Sequence, residues 1–554
     1  MPAGLLTATG PHPFAGDPAP AQPRLAARRA APRWRALATW LVPSLADVLF
    51  LAILLITLRS GSRMLSGDGD AARHLVVGEQ ILRHGAIPRV DLFSHTMAGA
   101  PFVPYEWLAE VSSALAYRLA GLAGTVLLHG AAIAATFALL FAQLRRRGIP
   151  VLLALAVAIL AGSASALHWL ARPHVFTLLG TALSGALLDD WQAGRCSARR
   201  LWLLPALMAV WANAHGGFLV GLILIAGYAG ADVVRAAASS EPGEQAAARQ
   251  RLRMLIPVAL ATAGATLLNP AGPGLLGHVT GYLGKRLLVD RTNEYLSPSF
   301  HELGTAFFLA MLLLCLASFA WSRRRPALHE GMLVIVFTAF GLYSARNIPL
   351  FAVVAAPVLA AQLAAAAPGT VVAPWLVQAW RWVEAWLGQR NAAYARIDGR
   401  ARGHLWPALA LAGALAIAAA QQRSGADPLG IAFDARRMPV AAAAFLRAHP
   451  PAGNGFNELA WGGYLLHELW PAERVFIDGQ TDFYGEALAR EYLQVVELQA
   501  GWQAVLDRYQ ITWVIYPTDS ALTRALAGQA GWQVAYQDGV ATVLERAEGT
   551  SRPL

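Results

Sequence analysis

Residues 40–70 read WLVPSLADVLFLAILLITLRSGSRMLSGDGD. Trp40 to Leu58 has the length and apolarity of a helix crossing the roughly 30 Å hydrocarbon core of a bilayer. The chain then turns polar. From Ser60 to Glu106 it carries Asp68, Asp70, His74, Glu79, His84, Asp91, His95 and Glu106. A span followed at once by a loop that opens on paired acids predicts a membrane protein holding chemistry on one side. Composition extends the membrane reading to the whole chain. Of the 554 residues, 56% are hydrophobic and 14% charged, with a mean hydropathy of +0.44, whereas soluble domains carry about 25% charge.

Further apolar runs place spans at roughly 40–58, 122–143, 149–168, 173–188, 201–214, 216–234, 254–269, 304–321, 331–345, 348–366 and 405–421. The expected fold class is a polytopic α-helical membrane protein with about eleven spans. The net charge of +10 is almost wholly arginine, Lys285 being the single lysine. In a soluble protein such an excess suggests nucleic acid; here it falls in short loops and has a topological meaning, so no nucleic-acid partner is expected. Arg24–Arg35, Arg145–Arg147, Arg195/Arg199/Arg200, Arg235–Arg253, Arg323–Arg325 and Arg381–Arg402 all fall on one face, which the positive-inside rule makes cytoplasmic. The first loop (60–121), the loop 269–303 and everything after about 422 then lie outside, in the periplasm of a bacterium. The expected division is a disordered basic cytoplasmic segment (1–39) leading into an uncleaved anchor, a membrane domain (40–421) and an outer domain (422–554). Cys196 and Cys315 offer neither a disulfide framework nor a metal motif.

Inside the first loop, Ala71 to Arg83 and Glu106 to Leu119 have the apolar spacing of interfacial helices, although the second also reads as the opening of the next span. Past residue 422, Arg474–Asp478 and Thr512–Tyr516 read as strands alternating with helices at Glu486–Gln499 and Leu522–Gly528. That pattern predicts a small α/β domain with a partly parallel sheet.

Polar groups in or beside spans are costly and are functional candidates by default. Asp68 and Asp70, Arg172 and His174, Asn213 and His215, Asn269, Glu294 and His301, and Arg346 and Asn347 all fall on the outer side; the inner side shows little besides arginine. An outer-facing polar cavity is the simplest account. Bland readings stand beside it: Arg172 and Arg346 as snorkelling anchors, His215 as a packing residue at the Gly216-Gly217 break, Asn269-Pro270 as a helix stop, and Glu294 as an exposed acid. In the tail, Asp478, Gln480, Asp482 and Tyr484 form a polar loop where open α/β sheets often bind ligands, or a tight structural turn.

The order of these parts resembles the GT-C glycosyltransferase superfamily, whose members use polyprenyl-phosphate-linked sugars. More narrowly, it resembles a group of bacterial membrane proteins near that superfamily. The resemblance rests on Gly67-Asp68-Gly69-Asp70 with His74-Leu75-Val76-Val77-Gly78, Pro88 to Thr96, Glu106-Trp107-Leu108, Arg172-Pro173-His174, Trp211 to Gly217, Arg346-Asn347, Trp461-Gly462-Gly463-Tyr464 and Val475 to Gly479. It implies that Asp70 or Asp68 acts as base or metal ligand. Arg172 and Arg346 would receive the donor phosphate, with His174, His215 and Asn347 beside them. Glu294, Asp91 and Glu106 would contact metal or acceptor, and Asp68, Asp70 and Glu294 are the candidate ligands for Mg²⁺ or Mn²⁺. The chain lacks the tryptophan-tryptophan-aspartate signature of oligosaccharyltransferases and the paired acids of mannosyltransferases. The expectation is a transferase moving a sugar from a polyprenyl phosphate in the bilayer to a glycan, lipid or protein acceptor at the outer face of a bacterial inner membrane. The rival is a transporter, flippase or assembly factor for lipid-linked glycans.

Overall fold

The computed structural model describes residues 39–282, 286–366, 374–424 and 429–547; apart from Thr39, the basic N-terminal segment lies outside them. Helix α1 (Leu45–Arg59) begins where Ser44 and Asp47 cap each other reciprocally, the Ser44 hydroxyl donating to the Asp47 carboxylate at 2.6 Å. After the acidic turn, α2 (Asp70–His84) starts with Asp70 itself, an acid well placed at the positive end of the helix dipole. Helix α3 (Trp107–Arg146) runs for 40 residues but breaks at Ala120–Gly121, where Gly121 has φ +60°. Only a residue without a Cβ adopts that backbone easily. The segment expected as a second interfacial helix is thus joined through a kink to the span that follows it.

Seven helices among the described residues are long and apolar enough to cross a membrane: Thr39–Arg59, Trp107–Arg146, Val151–His168, Gly216–Ala238, Leu303–Trp321, Ala345–Ala364 and Leu405–Ser424. The other four expected span positions are also helical, at α4 (His174–Gln192), Leu203–Ala214, Pro242–Ala265 and Leu328–Tyr343, but do not reach the same length and apolarity together.

The tail forms a four-stranded mixed sheet from β1 (Asn454–Asn457), β2 (Ile511–Pro517), β3 (Trp532–Gln537) and β4 (Ala541–Arg546), in the order β1-β2-β4-β3. The β1–β2 pair is parallel and the other two are antiparallel. The expected strand at 474–478 is corrected. Val475 instead makes an isolated bridge to Ser94 of the first loop, with the Val475 amide donating to the Phe93 carbonyl at 3.2 Å. Loop and tail also share one core, in which Ala72, Val76, Val77 and Phe93 pack with Trp461, Tyr464, Leu465 and Val475. Helix α2 is therefore enclosed between α3 and the tail.

The candidate site at the loop–tail junction

The residues from Gly67 to Asp70 fold back so that the Asp70 amide donates to Asp68 Oδ1 at 3.1 Å. Both carboxylates thereby face Arg172, which stands just before α4. Arg172 reaches Asp68 Oδ2 at 2.5 Å through Nη1 and Asp70 Oδ2 at 2.6 Å through Nη2. Its Nη1 also lies 3.5 Å from Glu294, whose other oxygen is 3.3 Å from Arg346. Arg346 lies over the Tyr295 ring at 4.4 Å. His168 Nε2, 3.4 Å from Glu294, joins from the end of the third expected span. Five predicted residues, separated by up to 278 positions, therefore form one cluster of three acids and two arginines.

Burial raises the Asp68 pKa, although Arg172 pulls it down. Burial works the same way on Glu294, but there Arg346 and then Arg172 prevail and hold the carboxyl at about 2. Arg172, desolvated but facing three acids, is held more firmly protonated than an ordinary arginine.

A second polar chain lies beside the first. His74, one turn along α2 from Asp70, places Nδ1 3.2 Å from Glu110 and Nε2 4.0 Å from Glu106. Glu106 is also 3.7 Å from His215 Nε2. Burial drives the Glu106 carboxyl up to about 7. Burial works against charge on His74, yet Glu110 and Glu106 outweigh it and raise its pKa. The His215 pKa is depressed by burial and by the nearby arginines. His215 Nδ1 accepts from the Gly217 amide at 3.0 Å and meets the Thr177 hydroxyl at 2.7 Å.

Three other predicted residues have different surroundings. His174 points Nε2 at the His168 carbonyl, 2.7 Å away. Asn347 donates to the Phe340 carbonyl at 3.3 Å. Asp91 organises its own turn, accepting from the Phe93 and Ser94 amides and from the Ser94 hydroxyl at 2.6 Å.

The trio Asp68, Asp70 and Glu294 does not fit as a metal site in this arrangement, because the Arg172 guanidinium fills the space a cation would take. Among the described residues no group of three His, Cys, Asp or Glu is disposed to hold a metal ion.

Sequence reasoning overlooked Arg73. On α2, three residues from Asp70, it places Nε 3.1 Å from Asp478 Oδ2 and donates to Gln480, with side chains 5% and 1% exposed at Arg73 and Asp478. The Gln480 amide and the Tyr484 hydroxyl donate to Asp478 at 2.8 and 3.1 Å. Gly479 lies directly against Asp70: a Cβ built on it would overlap Asp70 Oδ1. Gly69 and Gly463 are equally confined, against Ala460 and Gly69 respectively. The signal for this contact was present in the Asp478-Gly479-Gln480 loop, but nothing in sequence linked it to Arg73.

The far end of the bundle is also more than arginine. Following α4 for fifteen residues from His174, about 22 Å, leads to Asp189, which meets Arg147 at 2.6 Å and Arg195 at 2.7 Å. Glu330 meets Arg147 at 3.0 Å and Arg324 at 2.8 Å.

Comparison with protein-family models gives no match, and neither does comparison with curated proteins. Among solved structures, the chain is similar to the Archaeoglobus fulgidus oligosaccharyltransferase in its apo form, with 12% identity, 85% of this chain and 70% of that one covered, and a TM-score of 0.53. The same protein tethered to an acceptor peptide containing the NVT sequon gives 12% identity, 85% and 69% coverage and a TM-score of 0.52. ArnT from Cupriavidus metallidurans bound to undecaprenyl phosphate aligns over 92% of this chain and 99% of that one at 16% identity, with a TM-score of 0.46. At such identities the likeness is one of fold. The chain shares the helical membrane fold of that oligosaccharyltransferase.

Proposed function

We propose that the chain is a membrane glycosyltransferase moving a sugar from a polyprenyl phosphate to an acceptor at the outer face of a bacterial inner membrane. The observation that carries the reading is Arg172 in contact with Asp68 and Asp70, a fixed cation beside a carboxylate on a fold shared with an oligosaccharyltransferase. In a direct displacement the acceptor hydroxyl oxygen bonds to the anomeric carbon and Asp70 takes its proton. The carbon–oxygen bond to phosphate breaks, and its electron pair leaves with the polyprenyl phosphate. General-base assistance of this kind contributes roughly 10²–10⁴ in rate. Arg172 and Arg346 bind the phosphate oxygens through charge-assisted hydrogen bonds. Since three acids face these two arginines, the phosphate must displace a carboxylate. Asp68, with its raised pKa, is the acid suited to take up a proton as the donor enters.

The test is purified protein in liposomes with a panel of radiolabelled polyprenyl-phosphate sugars, wild type beside Asp70→Asn, with and without EDTA. Transfer lost in the variant, with insertion and folding intact, is the expected result; transfer retained within tenfold sinks the assignment. One observation favours the transporter reading, the buried ion-pair network at the far end of the bundle. Donor crossing the vesicle without turnover in either protein would establish it.

A further inference from the structure

We infer that the C-terminal domain is one wall of the catalytic site, and that Arg73, Asp478 and Gly479 are positioning residues for Asp70. The inference rests on the proposed role of Asp70 as base. Its footing is a set of contacts between α2 and the tail, separate from the Arg172 cluster.

The Asp70 carboxylate is confined from two sides. Oδ2 is held by Arg172 of the membrane domain at 2.6 Å. Oδ1 is backed by Gly479, so closely that no side chain fits there. Gly479 is itself fixed, because its neighbour Asp478 accepts from Arg73, from the Gln480 amide and from Tyr484. Arg73 closes the loop, since it stands on the same first helical turn as Asp70. A pair desolvated this deeply adds little stability over an apolar pair of the same shape. What it supplies is register, because a planar guanidinium donates to its partners in few orientations. The backbone contacts Gly69–Ala460 and Gly463–Gly69 lock the same turn onto the tail. A reacting group needs its geometry held closely, and a displacement of about 1 Å costs roughly 10²-fold in rate.

Gly479→Ala is the selective test. The atom in the way is the end of a short side chain, so the cheapest relief is for the Asp70 carboxylate to swing off Arg172 while the backbone stays in place. The expected result is a fall in kcat of roughly 10²-fold, with KM for the lipid donor and thermal unfolding unchanged. Gly528→Ala, in the same domain with its nearest neighbour 3.5 Å away, should match wild type. Asp478→Asn keeps the shape and removes the charge; it should lower kcat about tenfold at constant KM, with Asp478→Glu recovering part of it. Independently of activity, hydrogen–deuterium exchange in the peptide covering residues 67–77 should quicken in Asp478→Asn. Unaltered kcat in both Gly479→Ala and Asp478→Asn, a loss shared equally with KM, or unaltered exchange would each overturn the inference. If wild type turns over no donor while exchange in 67–77 still quickens, the docking of α2 on the tail is supported and the transferase reading is what has failed.

Discussion

Removing the cation that three acids share should leave a protein whose stability depends on pH. In Arg172→Met, Glu294 keeps Arg346 at 3.3 Å, whereas Asp68 and Asp70 lose their shared partner at 2.5 and 2.6 Å. A buried carboxylate without a partner protonates. Taking up that proton caps the penalty, because it replaces the cost of an unpaired charge with the cost of neutralising a group whose ordinary pKa is 3.8. That cost is about 5 kcal/mol at pH 7.5 and about 1.6 kcal/mol at pH 5. The sign follows from linkage. A carboxyl whose folded pKa is raised contributes stability that is complete below its unfolded pKa and lost as pH rises through the folded one. Burial already gives wild-type Asp68 this sense, and the substitution extends it. The variant should therefore be destabilised more at pH 7.5 than at pH 5, with Asp68 contributing up to about 3 kcal/mol of the difference. Thermal unfolding in detergent, followed by the fluorescence of the 18 tryptophans, reads the difference between the two proteins at each pH. An equal loss at both pH values, or a larger one at pH 5, would refute the reasoning.

Glu106, at about 7 against an ordinary 4.5, gives a related test: its stabilising protonation is complete below pH 4.5 and lost as pH rises through 7, a difference of about 3 kcal/mol. Glu106→Gln, which cannot ionise, should gain stability relative to wild type at pH 8.5 but not at pH 4.5, measured by the same unfolding signal. Arg147→Met leaves Asp189 with Arg195 at 2.7 Å and Glu330 with Arg324 at 2.8 Å, so it should cost less than the roughly 3–5 kcal/mol of a buried charge left unpaired, while kcat per folded molecule stays at the wild-type value. Because Arg172 occupies the space between the three acids, transfer by EDTA-treated protein should equal that of the untreated protein; an EDTA loss restored by Mg²⁺ or Mn²⁺ would show that a metal displaces the guanidinium.

The convergence of Asp68, Asp70, Arg172, Glu294 and Arg346 was legible because arginine distribution sorts loops by side, and polar groups at helix ends on one side tend to meet. That rule carries no information about pairing within a side. It left Asp91 and Asn347 among the candidates, although each satisfies local backbone groups. It also hid the far-end ion pairs, since arginines that have a topological explanation prompt no search for Asp189 and Glu330. The strand expected at 474–478 failed for a different reason. An apolar run such as Val475-Phe476-Ile477 signals burial equally well in a sheet or in a loop bridging to another segment, and here Val475 pairs with Ser94. Arg73 was illegible because its partner lies 405 residues away and nothing local distinguishes it from a solvent-facing arginine.

That separation has a consequence for how the molecule is made. At roughly 5–20 residues per second, the ribosome needs on the order of 20–80 s to travel from Arg73 to Asp478. Throughout that interval the nascent acid-bearing loop has no tail to lean on, and its arginine stays hydrated. Chains released early by stalling or cleavage would carry Asp70 without its backing wall.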